Sequence, residues 1–325
     1  MKRVFSGVQP TNNLHIGNYL GAIKNWIDLQ KEYECIFCVV DLHALTVYQK
    51  PEVLRENILN VVKTYVALGI DSTKSIIFQQ SDVKEHPELA WILNTMAKTS
   101  ELERMTQFKD KAKAHKENVN MGLFDYPVLM VADIILYDTD LVPVGKDQEQ
   151  HLELTRVLAR RFNSLYGDTF TVPEPLIKKE GALILGLDDP SKKMSKSAAS
   201  PNNYISLVDD PGVAKKKIMR AVTDSGSEVK SGADKPALTN LLTIYSLLTN
   251  QSIKEIEKEY SGKGYGDFKK GLAEVVEKFL SEFQTKFNKI TDKEARAILE
   301  AGASKVQKLA AKKMEEVKSK IGIKI

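Results

Sequence analysis

The amino-acid sequence predicts an α/β fold: a parallel sheet with crossover helices, followed by a helical C-terminal domain. Three observations carry this. From Met1 to Leu187, short strand-like runs alternate with helical patterns, as in sheets built of βαβ units. Glu34–Val40 is apolar almost throughout, which suits a strand buried on both faces. After Pro190 the strand-like runs stop and 3.6-residue periodicity takes over.

The elements follow in order. Arg3–Phe5 is a short first strand. Asn18–Tyr33 reads as a helix with Leu20, Ile23 and Ile27 on one face, and Glu34–Val40 as the second strand. Pro51 suits a first helical turn, and the periodic run to Leu68 stops at Gly69. Ser75–Gln79 is a strand. His86–Ala97, Leu102–Phe108 and Phe124–Tyr137 read as helices, Leu141–Val144 as a short strand, and Gln148–Tyr166 as a helix. Further helices are predicted over Pro211–Val222, Pro236–Leu248, Ser252–Tyr260, Tyr265–Asn288 and Thr291–Ile321. Gly and Ser at 225–232, and Gly262–Gly266, punctuate them. The expected division is a domain over 1–187 with a helical insertion after the second strand, then a helical domain over 188–290. The last helix, 291–325, is expected to return to the first domain.

Composition narrows the function classes. The chain has 325 residues, 42% hydrophobic and 28% charged, ordinary for a globular protein with a large core. No apolar stretch approaches the ~20 residues of a membrane span. The N-terminus runs straight into a strand with no leader pattern, so a cytoplasmic chain is expected. Cys35 and Cys38 form a C-x-x-C, but within a strand their side chains face opposite ways and ~10 Å apart, too far for a disulfide. Buried reduced thiols are expected. From Asp188 to Ile325 there are 26 Lys+Arg against 19 Asp+Glu, although the whole chain is only +4. A basic C-terminal third suits either an RNA-binding appendage or a lysine-rich solvated surface.

Three segments carry chemistry. The first runs from the strand at Phe5 through Gly7 and Pro10 to Gly17 at a helix start. Free N–H groups and the helix dipole favour an anion there, as in Rossmann-like nucleotide-binding domains. His15 and Asn18 can donate to phosphate oxygens; the alternative is a plain helix entrance with Asn12, Asn13 or His15 merely capping. The second is Lys193-Met194-Ser195-Lys196-Ser197, between Pro190 and Pro201, where loop lysines can swing onto a polyphosphate. The third places Asp133 in an apolar helix, shortly before Val142 and Val144 and the Gly145-Lys146-Asp147-Gln148 turn. A buried carboxylate needs a donor. An apolar slot with one acceptor suits a flat aromatic ligand bearing an N–H, and a structural hydrogen bond to backbone is the alternative.

These segments resemble the ATP-handling pair of the class I aminoacyl-tRNA synthetases. Nearly end to end, the chain resembles the bacterial-type tryptophanyl-tRNA synthetases. The resemblance rests on Phe5-Ser6-Gly7-Val8-Gln9-Pro10, Ile16-Gly17-Asn18-Tyr19, the run Glu101–Lys109, Ala132-Asp133-Ile134, Val142–Gly145, Asp147-Gln148 and KMSKS. It implies ATP-dependent ligation of L-tryptophan to tRNA(Trp) through an adenylate. It implies that Gln9, Pro10, Thr11, Gly17, Asn18, Gly145, Lys146, Asp147, Ile184 and the loop Lys193, Met194, Ser195, Lys196 and Ser197 hold ATP. It further implies that His15, Lys111, Lys193 and Lys196 act on the polyphosphate. Phe5, Gln9, His43, Met130, Asp133, Val142, Val144 and Gln148 would bind tryptophan, with Asp133 accepting from the indole N–H. Mg²⁺ would arrive with ATP, with no protein metal site. The helical C-terminal domain would meet the tRNA anticodon, and the insertion would build a homodimer, whose apolar runs Leu89–Leu93 and Val128–Val131 exceed what one sheet face needs. Three positions depart from the family pattern: Lys146 in place of Glu, Ala198-Ala199 after KMSKS, and Ser100 before Glu101. The alternatives are a tyrosine-specific relative, a small-molecule adenylyltransferase and a non-enzymatic RNA-binding paralogue.

Overall fold

The structure, a computed structural model, describes all residues except 12, 13, 115–118, 146, 147, 177–182, 197, 199 and 325. The described residues form a five-stranded parallel sheet in the order β3-β2-β1-β4-β5. The strands are β1 (Arg3–Val8), β2 (Glu34–Val39), β3 (Ile76–Gln79), β4 (Leu141–Val142) and β5 (Glu174–Pro175). The helices up to the last strand are α1 (Ile16–Asn18), α2 (Lys24–Leu29), α3 (Asp41–Ala44), α4 (Pro51–Leu68), α5 (Glu85–Asn94), α6 (Thr99–Glu103), α7 (Thr106–Ala114), α8 (Met121–Ile135) and α9 (Glu149–Tyr166). After the sheet come α10 (Pro211–Arg220), α11 (Pro236–Thr249), α12 (Ile253–Glu259), α13 (Tyr265–Lys289) and α14 (Asp292–Lys320). The α/β class and the helical C-terminal part are as the sequence predicted.

Alternation along the strands sets the two faces of the sheet. Val4, Cys35, Phe37 and Val39 pack with Trp26, Tyr65 and Leu299. Phe5, Ile36, Cys38 and Phe78 pack with residues of α5, α8, α9 and α14. Cys35 and Cys38 therefore belong to opposite layers. Both are free and buried, and burial pushes the Cys35 thiol up to about 12. A third cluster joins Ile16 and Leu20 to Met194, Ile205, Leu207 and the buried faces of α10, α11 and α13.

Several boundaries differ from the sequence reading. The strand expected over Leu141–Val144 ends at Val142, because Pro143 has no N–H for the ladder. β5 was not anticipated; two residues with a proline give no periodicity, and proline is tolerated at a sheet edge. The helix expected over Leu102–Phe108 is interrupted, giving α6 and α7. The apolar runs Leu89–Leu93 and Val128–Val131 were expected to exceed what one sheet face needs. Leu89, Leu93, Val128 and Val131 are buried in the chain's own core, where α5 meets α8, whereas Trp91 of the first run is 73% exposed.

α14 lies against β3 and closes the sheet edge. A Cβ on Gly302 would come within 1.9 Å of the Ile77 carbonyl oxygen, so only glycine permits this approach. Gln307 donates to the Asp82 carbonyl at 2.8 Å, and Lys313 donates to the Thr169 carbonyl at 2.7 Å.

Candidate active site

The strand order places a topological switch point between β1 and β4. The chain winds outward through β2 and β3, then crosses back to β4 on the other side of β1. Ligands bind at such points, outside the carboxyl ends of the strands. A cavity of about 400 Å³ opens there. All eight residues expected to bind tryptophan line it: Phe5, Gln9, His43, Met130, Asp133, Val142, Val144 and Gln148. Such a volume lies within the ~300–1,000 Å³ typical of small-ligand sites.

Asp133 is the dominant charge of this cavity. It is 2% exposed, on a helix whose neighbours Val131, Ala132, Ile134 and Ile135 are buried apolar residues. His43 Nε2 donates to its Oδ2 at 2.7 Å, and Gln80 Nε2 donates to Oδ1 at 2.7 Å. An ionised carboxylate only accepts, so the His43 proton must sit on Nε2. Burial alone would push the Asp133 carboxyl up. The imidazoles of His43 and His86 outweigh it and hold the group well below the usual carboxylate range. Asp133 is therefore an anion with donor partners, and the backbone hydrogen bond considered as an alternative is not what holds it.

The second half of the site lies around the start of α1. His15 pairs with Ser206, Ile16 N–H donates to the Ile205 carbonyl at 2.9 Å, and Leu207 N–H donates to the Leu14 carbonyl at 2.9 Å. The Asn18 amide oxygen accepts the His15 N–H at 3.0 Å, so one face of Asn18 is spent on the turn. Gly17 is where the lysine loop docks: a Cβ there would lie 2.9 Å from His15 Nδ1 and 3.3 Å from Met194 Sδ. Met194 is the buried anchor of the loop, and its N–H donates to the Ile184 carbonyl at 2.9 Å. Ser195 N–H donates to Asn203 Oδ1 at 3.2 Å.

This docking brings the loop charges to the histidine. His15 is lowered to about 4, first by burial and then by the positive charges of Lys193 and Lys196. It is thus a neutral imidazole near pH 7, with one donor and one acceptor nitrogen. Its Nδ1 is buried with no hydrogen-bond partner among the described residues. Burial lowers Lys196, opposed by Asp209. Lys193 is exposed.

The remaining expected residues fall as follows. Pro10 is buried, Thr11 half-buried and Gly145 exposed. Ile184 was expected near a nucleoside. It is instead buried in the core beneath the loop, and its carbonyl accepts the Met194 N–H. Lys146, Asp147 and Ser197 lie outside the described residues, as does the side chain of Lys111, whose backbone is on α7 one turn beyond Gln107. Among the described residues no three or more His, Cys, Asp or Glu side chains converge as metal ligands, and no helix is long and apolar enough to cross a membrane.

A family model for tRNA synthetases class I, of the tryptophan and tyrosine group, matches residues 1–281. The chain belongs to that family. As a class I synthetase it is an enzyme of the aminoacyl-tRNA synthetase type. It is 52% identical over 324 residues to the tryptophan–tRNA ligase of Caldanaerobacter subterraneus subsp. tengcongensis, covering 99% of both chains. The tryptophanyl-tRNA synthetase of Mycoplasma pneumoniae has the same fold with a TM-score of 0.92 at 36% identity, covering 99% of this chain and 98% of that one. The Campylobacter jejuni tryptophanyl-tRNA synthetase, solved with ADP and tryptophan, superimposes with a TM-score of 0.84 at 40% identity over 98% of this chain and 99% of that one.

The synthetase cavity also contains residues that sequence reasoning did not assign. Tyr126, His151 and Gln107 line it. Tyr126 Oη lies 2.9 Å from His151 Nε2, and burial pushes the phenol up to about 12, so it stays protonated. Periodicity could have found Tyr126, which precedes Met130 and Asp133 by four and seven residues on one face of α8. Gln80, which braces Asp133, gave no sequence signal; it becomes visible only when β3 lies beside β2.

Proposed function

We propose that this synthetase activates L-tryptophan with ATP and transfers it to tRNA(Trp), releasing pyrophosphate and then AMP. The observation that carries the reading is Asp133: a buried carboxylate, held ionised, in a cavity walled by Phe5, Met130, Val142 and Val144. The kinship with tryptophan–tRNA ligases at about half identity over the full length supports it.

The geometry suggests how the steps divide. The indole enters the slot and its N–H donates to Asp133, while Gln9 and Gln148 on the rim orient the polar end. The tryptophan carboxylate, with a pKa of about 3.5, is already ionised and needs no general base to attack the α-phosphate. Catalysis therefore rests on positioning and on charge stabilisation at the leaving pyrophosphate. Lys193 and Lys196 supply positive charge beside the His15 turn, and the neutral His15 supplies a donor. In the second step a terminal ribose hydroxyl of tRNA attacks the carbonyl and AMP leaves. Mg²⁺, a hard cation that favours phosphate oxygens, is read as a companion of ATP that neutralises phosphate charge.

The basic helical third is read as the tRNA-binding part, and the enzyme as cytoplasmic. A homodimer is also proposed, with Trp91, 73% exposed within the first of the runs that suggested it, and a second apolar patch as the surfaces to be covered. Tyr48 and Met121 are 77% and 74% exposed, and Asn120 Nδ2 joins their loops by donating to the Thr46 carbonyl at 3.1 Å. Leu45 adds to this apolar patch beside the helix bearing His43. Light scattering at micromolar concentration tests the dimer, and a monomer of 36.4 kDa would contradict it. Charging of tRNA with labelled tryptophan tests the function itself. ATP-dependent charging with tryptophan is expected, and charging with tyrosine instead would overturn it.

A further inference from the structure

Behind the cavity, a second set of polar groups grips Asp133 from the side that substrate cannot reach. His86 Nδ1 stands 2.6 Å from Asp133 Oδ1, at ion-pair distance but off a straight N–H line. Its other nitrogen, Nε2, lies 2.7 Å from the Tyr137 hydroxyl. His86 is 0% exposed and Tyr137 1%, and neither lines the cavity. The imidazole cannot turn away. It stacks on Phe78 with centroids 5.8 Å apart and meets the Tyr137 ring at 5.5 Å. Tyr137 in turn stacks on Phe5, a wall of the cavity, at 5.9 Å.

The two carboxylate oxygens are unequally served. Among the described residues, Oδ1 accepts from Gln80 and has His86 at ion-pair distance, whereas Oδ2 meets only His43, which lines the cavity. A carboxylate has about four acceptor directions. The direction left over is therefore on Oδ2, the oxygen shared with a cavity residue. Without His86, Oδ1 would keep only Gln80, and the carboxylate would be freer to rotate or to take up a proton and become a donor itself. Either change would destroy its selectivity for an N–H.

We propose that His86, held by Tyr137, is a positioning residue for amino-acid selection: with Gln80 it occupies Oδ1 of Asp133 and leaves Oδ2 as the acceptor for the substrate N–H. The inference rests on the reading of Asp133 as the indole acceptor. It goes beyond that reading by assigning part of the specificity to residues that never touch the amino acid.

The test is ATP–pyrophosphate exchange with tryptophan and with its benzothienyl analogue, in which sulfur replaces the indole N–H. The wild-type ratio of kcat/KM is measured first. A site built around a buried acceptor should reject the analogue by ~10⁴ or more. His86→Leu should lower that ratio about tenfold or more, through a higher KM for tryptophan with kcat little changed. His86→Asn keeps an N–H donor near the position of Nδ1 and should recover most of the ratio, and Tyr137→Phe should fall between. Equal losses on both substrates, or a wild-type ratio in folded His86→Leu, would overturn the proposal. If His86→Leu does not fold, an unchanged ratio in Tyr137→Phe together with an unchanged ratio in a Gln80→Leu protein overturns it equally. A wild type that accepts the analogue freely overturns the Asp133 reading itself, a failure distinct from that of His86.

Discussion

Gly17→Ala is the sharpest probe of the contact between the His15 turn and the lysine loop. The added carbon would stand 2.9 Å from His15 Nδ1, 3.0 Å from Cε1 and 3.3 Å from Met194 Sδ. Ordinary carbon contacts begin near 3.5 Å. The imidazole must therefore retreat by roughly half an ångström or more and the thioether by a few tenths. Neither has free space, since His15 is 7% exposed and Met194 2%. Overpacking of this kind costs about 1–3 kcal/mol of stability. The larger effect is on chemistry: a misplacement of ~1 Å at reacting groups can cost ~10²-fold. Adenylate formation should fall by about that factor, while tryptophan affinity should stay within about threefold, because different residues wall its cavity. Rapid-quench single-turnover kinetics and equilibrium tryptophan binding measure the two. A folded Gly17→Ala protein that forms adenylate at a near wild-type rate would refute the docking of the loop on this turn.

Three further outcomes are expected. Lys196→Ala should slow adenylate formation by about 10²–10³-fold with little change in tryptophan binding, since its charge is needed where pyrophosphate charge develops; a rate within a few-fold of wild type contradicts the role. His15 is held near 4 in the folded protein against 6.5 unfolded, so the unfolded chain binds more protons between these values and stability should fall as pH drops from about 6.5 towards 4. His15→Asn should flatten that slope in urea midpoints measured across pH, and an unchanged slope contradicts it. Lys305, Lys308 and Lys312 are exposed on α14. Replacing all three by Gln should weaken tRNA binding and make the logarithmic salt slope shallower by about 2–3, read from affinities across a salt series.

The two halves of the site differed in how far the sequence revealed them. Burial pattern and helix periodicity placed β2, β3 and α4 closely, because each buries regular faces in the sheet layers, whereas β1, read only to Phe5, runs on to Val8. β4 was read two residues too long because Pro143 ends it, and β5, two residues with a proline, leaves no pattern. Val142 and Val144 were legible because they lie at the carboxyl end of a short strand, where an open α/β sheet places a ligand, whereas Phe5 on β1 and Met130 on α8 came from the family resemblance. What held Asp133 was not legible. His43, Gln80 and His86 are 90, 53 and 47 residues away from it in the chain, and only the packing of β2, β3 and α5 against α8 brings them together. The apolar runs behind the dimer expectation were legible only in part, for a related reason. Much of Leu89–Leu93 is taken up by the α5–α8 contact, whose depth cannot be read from composition, while Trp91 stays exposed.

Pyrophosphate exchange run side by side with tryptophan, tyrosine and phenylalanine tests the proposed activity most directly. Wild-type enzyme should exchange with tryptophan and reject the other two by ~10⁴ or more, since phenylalanine lacks the donor and tyrosine carries its hydroxyl elsewhere. Asp133→Ala should lose most of that discrimination while remaining folded, and Asp133→Asn, whose amide can still accept, should lose less. Exchange with tyrosine at a rate comparable to tryptophan, or an Asp133→Ala enzyme that still discriminates as the wild type does, would contradict the assignment.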